Sequence, residues 1–249
     1  MTRRRGGSGA APGIAGRAGI LSYDNLSADP RRLAAGFLNA AIGRGAALYS
    51  PVDVTACSST GTGVRLTTAS GMMIRARAVV FATGYELAKG VPRRGHTVAS
   101  TWAVATRPQR SAPWPEGCFI WEAADPYLYL RVGPDRRIIC GGEDERFSDA
   151  RSRDALLPAK TAALQQKLAA LLPWVDARVD FAWCGTFGGS TTGTPSIGAV
   201  PGQPHCYAVL GYGGNGITFS VLAAQIITSQ IGGRRDPDSD LFSFARPRR

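Results

Sequence analysis

The chain has 249 residues, enough for one large domain or two small ones, and 44% of them are hydrophobic, enough for a sizeable core. Its net charge of +11 invites a nucleic-acid reading, but only Lys89, Lys160 and Lys167 are lysines, six of the arginines (Arg3, Arg4, Arg5, Arg246, Arg248, Arg249) sit in the tails, and no run interleaves basic and aromatic residues, so that class is set aside. Cys57, Cys118, Cys140, Cys184 and Cys206 form no C-x-x-C, and with His96 and His205 they make no metal cluster; an odd, scattered set suggests a reducing compartment, hence the cytoplasm.

Residues 1–19 are rich in Arg, Gly and Ala, carry no apolar h-region of a secretory signal and read as a disordered basic tail. Asp29-Pro30 is a good helix start, after which Leu33, Ala34, Phe37, Leu38, Ala41 and Ile42 recur at helical spacing until Gly43 and Gly45. Ala46–Cys57 reads as a strand. Val64–Thr68 and Met72–Arg75 read as a hairpin across Ala69-Ser70-Gly71. Ala78–Phe81 is a continuous apolar run, as in a strand buried on both faces, and ends in Ala82-Thr83-Gly84.

The texture then changes. Thr101–Thr106, Phe119–Trp121, Tyr127–Val132, Arg137–Cys140 and Phe181–Thr186 read as strands of an antiparallel sheet. One helix interrupts them, capped by Asp154, carrying Leu164, Leu168, Leu171 and Leu172, and stopped by Pro173. Finally Cys206–Leu210 reads as a strand, Gly211-Tyr212-Gly213-Gly214-Asn215-Gly216 fits G-x-G-x-x-G, and Ile217–Ile231 reads as an apolar helix, too short to span a bilayer. Strand, glycine turn and helix set backbone N–H groups and a positive helix end against an anion. A plain tight turn into a core helix is the blander reading. Asp236 lies about 20 residues on, where a dinucleotide fold wants an acid, but no strand surrounds it.

In Tyr127–Val132, alternation puts Tyr127, Tyr129 and Arg131 on one face and Leu128, Leu130 and Val132 on the other. An Arg beside phenols can hold a carboxylate bidentately; the alternative is a surface strand with an ordinary Arg. Glu143, Asp144 and Glu145 could touch a basic substrate or form a solvated turn. His96 and His205 read as structural or solvent-exposed.

Taken in order, these pieces resemble the D-amino-acid oxidase-like family of FAD-dependent oxidoreductases, which includes glycine and sarcosine oxidases. The resemblance runs from about Ser22 to Phe244. It rests on Tyr23–Gly45 before a strand with Val52 and Val54, on Ala78–Gly84, on Gly141-Gly142-Glu143-Asp144-Glu145 as a turn after the substrate-domain hairpin, on Pro195-Ser196-Ile197-Gly198, and on Gly211–Gly216. It implies an α/β fold: a partial FAD-binding domain of the glutathione-reductase Rossmann type (20–98 and 195–244), an inserted antiparallel-sheet α+β substrate domain (99–194), and a basic tail at 245–249. It implies FAD as cofactor, met by Val54, Ala82, Thr83, Gly84, Gly211, Gly213, Gly214, Asn215, Gly216, Ile217 and Thr218. A small amine or amino acid would be the substrate, its carboxylate held by Arg131 with Tyr129 and Tyr127, and neither nucleic acid nor membrane a partner; the oligomeric state is left open. Cys184 lies near where some sarcosine-oxidising relatives attach flavin, though a small buried hydrophobe is the plainer reading.

Two departures stand out. The family's opening strand–G-x-G-x-x-G–helix has no counterpart; Gly7–Gly13 only mimics it, with Pro12 where the third glycine should be. The acid usual before the P-x-I-G proline is replaced by Thr191-Thr192-Gly193-Thr194. The expectation is therefore a truncated enzyme that binds FAD weakly, or a non-catalytic remnant that binds none.

Overall fold

A computed structural model describes residues 19–24 and 26–245. The mimic at Gly7–Gly13 and the tail arginines at both ends lie outside the described residues. The elements follow as α1 (Pro30–Ile42), β1 (Val54–Thr60), β2 (Gly63–Thr68), β3 (Met73–Ala76), β4 (Val79–Phe81), β5 (His96–Thr106), β6 (Ile120–Trp121), β7 (Tyr129–Val132), β8 (Ile138–Glu145), α2 (Ala150–Ala155), α3 (Leu157–Leu171), β9 (Val179–Ser190), β10 (Ser196–Ala199), β11 (Cys206–Leu210), α4 (Gly216–Ile231) and α5 (Ser239–Phe242). The described residues divide into two compact units, one built on Ala99–Thr186 and the other on Ser27–Val98 with residues 187–245.

In the first unit a sheet runs in the order β6-β7-β8-β5-β9, with β6, β7, β8 and β5 antiparallel in turn. One face is apolar. Trp102, Val104, Leu128, Leu130, Ile138 and Cys140 pack there against Leu164, Leu168 and Leu172. Burying such side chains is the main drive for this layer, at roughly 1.5–3 kcal/mol each. Two sequence expectations are corrected here. The single helix is two: Asp149, not Asp154, caps α2 by accepting from the Ser152 N–H, and Pro158 stands near the start of α3. Proline is favoured there because the first-turn N–H has no intrahelical partner. Gly141–Glu145 is no turn but the end of β8.

In the second unit β1, β2 and β3 form one antiparallel sheet, and β10-β11-β4 another, in which β11 pairs antiparallel with β10 and parallel with β4. Ile197 on β10 packs with Ala223, Ile226 and Ile227 of α4. Two expectations shift. The strand expected over Ala46–Cys57 starts only at Val54, after the cis Ser50–Pro51 bond. The run at β4 is not buried on both faces, because β4 is the last strand of its sheet and Val80 is 42% exposed. Helix α1 forms as read, with the Asp29 carboxylate accepting from the Arg31 and Arg32 N–H groups, yet none of its residues is buried.

Candidate functional site

The parallel pairing of β4 with β11 sets Phe81 opposite Ala208. Both strands then end, and the turns Ala82-Thr83-Gly84 and Gly211–Gly216 leave side by side. Open α/β sheets bind ligands outside such carboxyl ends. Tyr85 ties the turns together: its hydroxyl donates to the Gly213 carbonyl at 3.4 Å, and its ring lies 5.3 Å from that of Tyr212 and 6.2 Å from that of Phe187. Burial pushes the Tyr85 and Tyr212 phenols up, with the Tyr212 charge adding to the effect at Tyr85. The Thr83 hydroxyl donates to the Glu86 carbonyl, closing the first turn.

Glycine is required in this second turn. Gly211 and Gly213 have φ of 71° and 54°, the left-handed region that side chains resist. A Cβ at Gly211 would stand 2.5 Å from His96 Nδ1. At Gly213 and Gly214 the nearest atoms to a Cβ belong to the Phe187 ring, at 4.0 and 3.8 Å, so the backbone is open to an approaching group. A 3-10 turn, Gly213–Asn215, leads into α4, and no side chain caps that helix; Ile217 and Thr218 in its first turn are exposed. Unclaimed N–H groups and the positive helix end make a seat for a negatively polarised ring oxygen or an anion. The residues therefore fit the ring end of a flavin. Val54 stands apart from them, at the first position of β1 in the other sheet.

In the first unit, Leu128 and Leu130 point into the core while Tyr127 and Tyr129 are half-buried and Arg131 is exposed on the opposite face. The two phenol rings lie 6.3 Å apart. Burial pushes both hydroxyls up, the Asp144 charge adds to this, and a hydrogen bond with Thr101 partly offsets it at Tyr129. Both phenols stay protonated and able to donate at neutral pH. Cys184 packs against the core and donates to Asp154 Oδ1 at 3.2 Å, and burial pushes its thiol up. A cleft of about 670 Å³ beside Trp114, Pro115, Val132 and Trp174 holds none of the residues singled out from the sequence. Sequence reasoning passed over Tyr85 and Tyr212. The available signal was their place directly after Gly84 and inside the second glycine turn.

Among the described residues no group of His, Cys, Asp and Glu could hold a metal, and no helix is long and apolar enough to cross a membrane.

The fold is similar to that of glycine oxidase from Geobacillus kaustophilus (21% identity, TM-score 0.68, 87% of this chain and 58% of that one). It is similar to iminodiacetate oxidase from Chelativorans sp. BNC1 (19%, TM-score 0.64, 86% and 57%). L-proline dehydrogenase from P. horikoshii also matches (17%, TM-score 0.63, 87% and 59%). The chain thus spans less than two thirds of the length of these proteins. No curated protein sequence matches it. The sequence profile described as "DAO: FAD dependent oxidoreductase" matches residues 4–230. Paired strand ends, a glycine turn opening on an uncapped helix and a profile match over most of the chain lead to one assignment: the chain belongs to the DAO family of FAD-dependent oxidoreductases.

Proposed function

We propose that the chain is an FAD-dependent oxidoreductase that oxidises a small amine or amino acid. The observation that carries this reading is the junction of the Ala82–Gly84 and Gly211–Gly216 turns at the ends of β4 and β11, beside the uncapped start of α4. Backbone at Gly213, Gly214 and Gly216 admits the flavin ring closely, and the N–H groups of Ile217 and Thr218 hold negative charge on it. Ala82, Thr83 and Gly84 serve the same cofactor, and Val54 its adenine. When bound, FAD accepts a hydride from the substrate α-carbon.

The remaining work is positioning. Arg131 takes the substrate carboxylate as a fork, and Tyr129 and Tyr127 add hydroxyl donors that their raised pKa values keep protonated. The three solved relatives are named for glycine, iminodiacetate and L-proline, all small amines that carry a carboxylate. That common chemistry supports an amino acid as the substrate here.

Titrating the chain with FAD and following flavin fluorescence, then supplying amino acids and simple amines, tests the reading. Saturable binding with reduction of the flavin by an amino acid supports it. A flavin fluorescence that the protein does not change at any FAD concentration favours the rival, a non-catalytic member of the family.

A further inference from the structure

The acids Glu143, Asp144 and Glu145 close β8, and they do not share one fate. Lys160 on α3 pairs with Glu143 at 3.4 Å and with Glu145 at 2.6 Å, and Lys167 reaches the other oxygen of Glu143. Both glutamates are thus neutralised on the helix side of the sheet. Asp144 lies between them in sequence, where the register of β8 against β5 shifts. Its charge acts on Tyr127 and Tyr129, and its Oδ1 is buried with no hydrogen-bond partner. The break that allows this is local: Gly142 and Glu143 have φ of 147° and 60°.

The register orders the groups on this face. Arg131 stands opposite Ile139, and Tyr129 opposite Gly141. Asp144 follows at the far end of β8. The face therefore offers a guanidinium, two phenols and a carboxylate in line. A regular strand would set Ile139 and Asp144 about 16 Å apart at roughly 3.3 Å per residue, and the register shift between Gly142 and Glu145 makes the gap shorter than that. A ligand lying along it is best matched if it is negative at one end and positive at the other.

We propose that Asp144 is the specificity-determining residue of this site, binding a cationic group at the distal end of the substrate while Arg131 holds the carboxylate, so that the preferred substrates are amino acids with basic side chains, of the size of lysine. This rests on the amine and amino-acid reading given above. The distal cation, not the α-amine, is the partner. Hydride leaves only a neutral amine, and a carboxylate against the α-nitrogen would favour its protonated form. A carboxylate with a buried, unpartnered oxygen is costly to leave uncompensated, and a cationic group of the ligand beside it offsets that charge.

The test is calorimetric binding, in the presence of FAD, of lysine and of norleucine, each as the racemate. The two share a carbon chain and differ in the terminal ammonium. The expected result is a lysine preference of roughly tenfold to a hundredfold, the scale for a close charge pair. Asp144→Asn should erase that preference. Glu143→Gln, which alters only the helix-side pairs, should keep it. Equal binding of the two amino acids to the unaltered chain, or a preference that survives Asp144→Asn in a variant that melts normally, overturns the assignment and leaves the amino-acid reading standing. If neither is bound, the Asp144 assignment falls, while reduction of the flavin by other amino acids or amines still decides the amine and amino-acid reading.

Discussion

The ring of Tyr129 lies across Gly141, its cross-strand partner on β8, in the space that a Cβ on Gly141 would occupy. The phenol is held flat because the neighbouring strand has no side chain there. Gly141→Ala should drive the ring off the sheet. Overpacking of this kind costs roughly 1–3 kcal/mol. The melting temperature should fall, and amino-acid binding should weaken with it. An alanine variant as stable as the parent would mean that the ring moves without strain.

Arg131→Leu separates carboxylate recognition from amine oxidation. Loss of a charged partner should weaken carboxylate substrates by roughly 2–4 kcal/mol, read as a raised KM. Simple amines should be spared. Steady-state kinetics on matched pairs, an amino acid and the amine that lacks its carboxylate, decides the matter. Equal effects on both would remove Arg131 from the site.

Gly211→Ala should damage the cofactor turn from within. The residue keeps a positive φ, which costs a side chain roughly 1–2 kcal/mol, and its new methyl would meet His96. Flavin fluorescence titration should show weaker FAD binding than for the parent chain, and Gly61→Ala, where a Cβ meets nothing, should serve as the neutral control.

Glu143 gives a pH dependence. Burial raises its pKa, but the hydrogen bond and charge of Lys167, with those of Lys160, outweigh burial and hold it below the ordinary 4.5. A folded value below the unfolded one gives stability that is complete above the ordinary value and lost as the pH falls through the lower folded value. Melting temperatures should therefore hold down to about pH 5 and then decline. Glu143→Gln should lower the neutral-pH value and shallow that decline. An unchanged acid limb would show that the lysine pairs do not contribute.

Much of this was legible in the residues, for physical reasons that differ from element to element. Leu128 and Leu130 against Tyr129 and Arg131 announce a half-buried strand because the period of two is a direct image of the pleat. The turn at Gly211–Gly216 announces itself because few residues accept a positive φ. What was not legible depends on partners far along the chain. The exposure of Val80 follows from β4 being last in its sheet, which no local pattern records. Gly141-Gly142 resembles a turn, yet β5 and β7 on either side hold it as strand. The helix start moved from Asp154 to Asp149 because both are good caps and only the fold chooses between them. The pairing of Glu143 and Glu145 was set by Lys160 and Lys167, more than a dozen residues away.

Helix α1 carries Phe37, Leu38 and Ile42 on a surface that nothing in the described structure covers, and the outer edge of β4 is unpaired among the described residues. In solution such a molecule is held apart from its copies by like charge. The net charge of +11 acts as a colloidal barrier whose range is the Debye length, about 10 Å at 0.1 M salt and about 3 Å at 1 M. Salt that ordinarily helps a basic protein stay dispersed should here promote self-association, and light scattering across a sodium chloride series should rise rather than fall. Purification at low ionic strength, near neutral pH, follows from an uncovered helix and an open sheet edge.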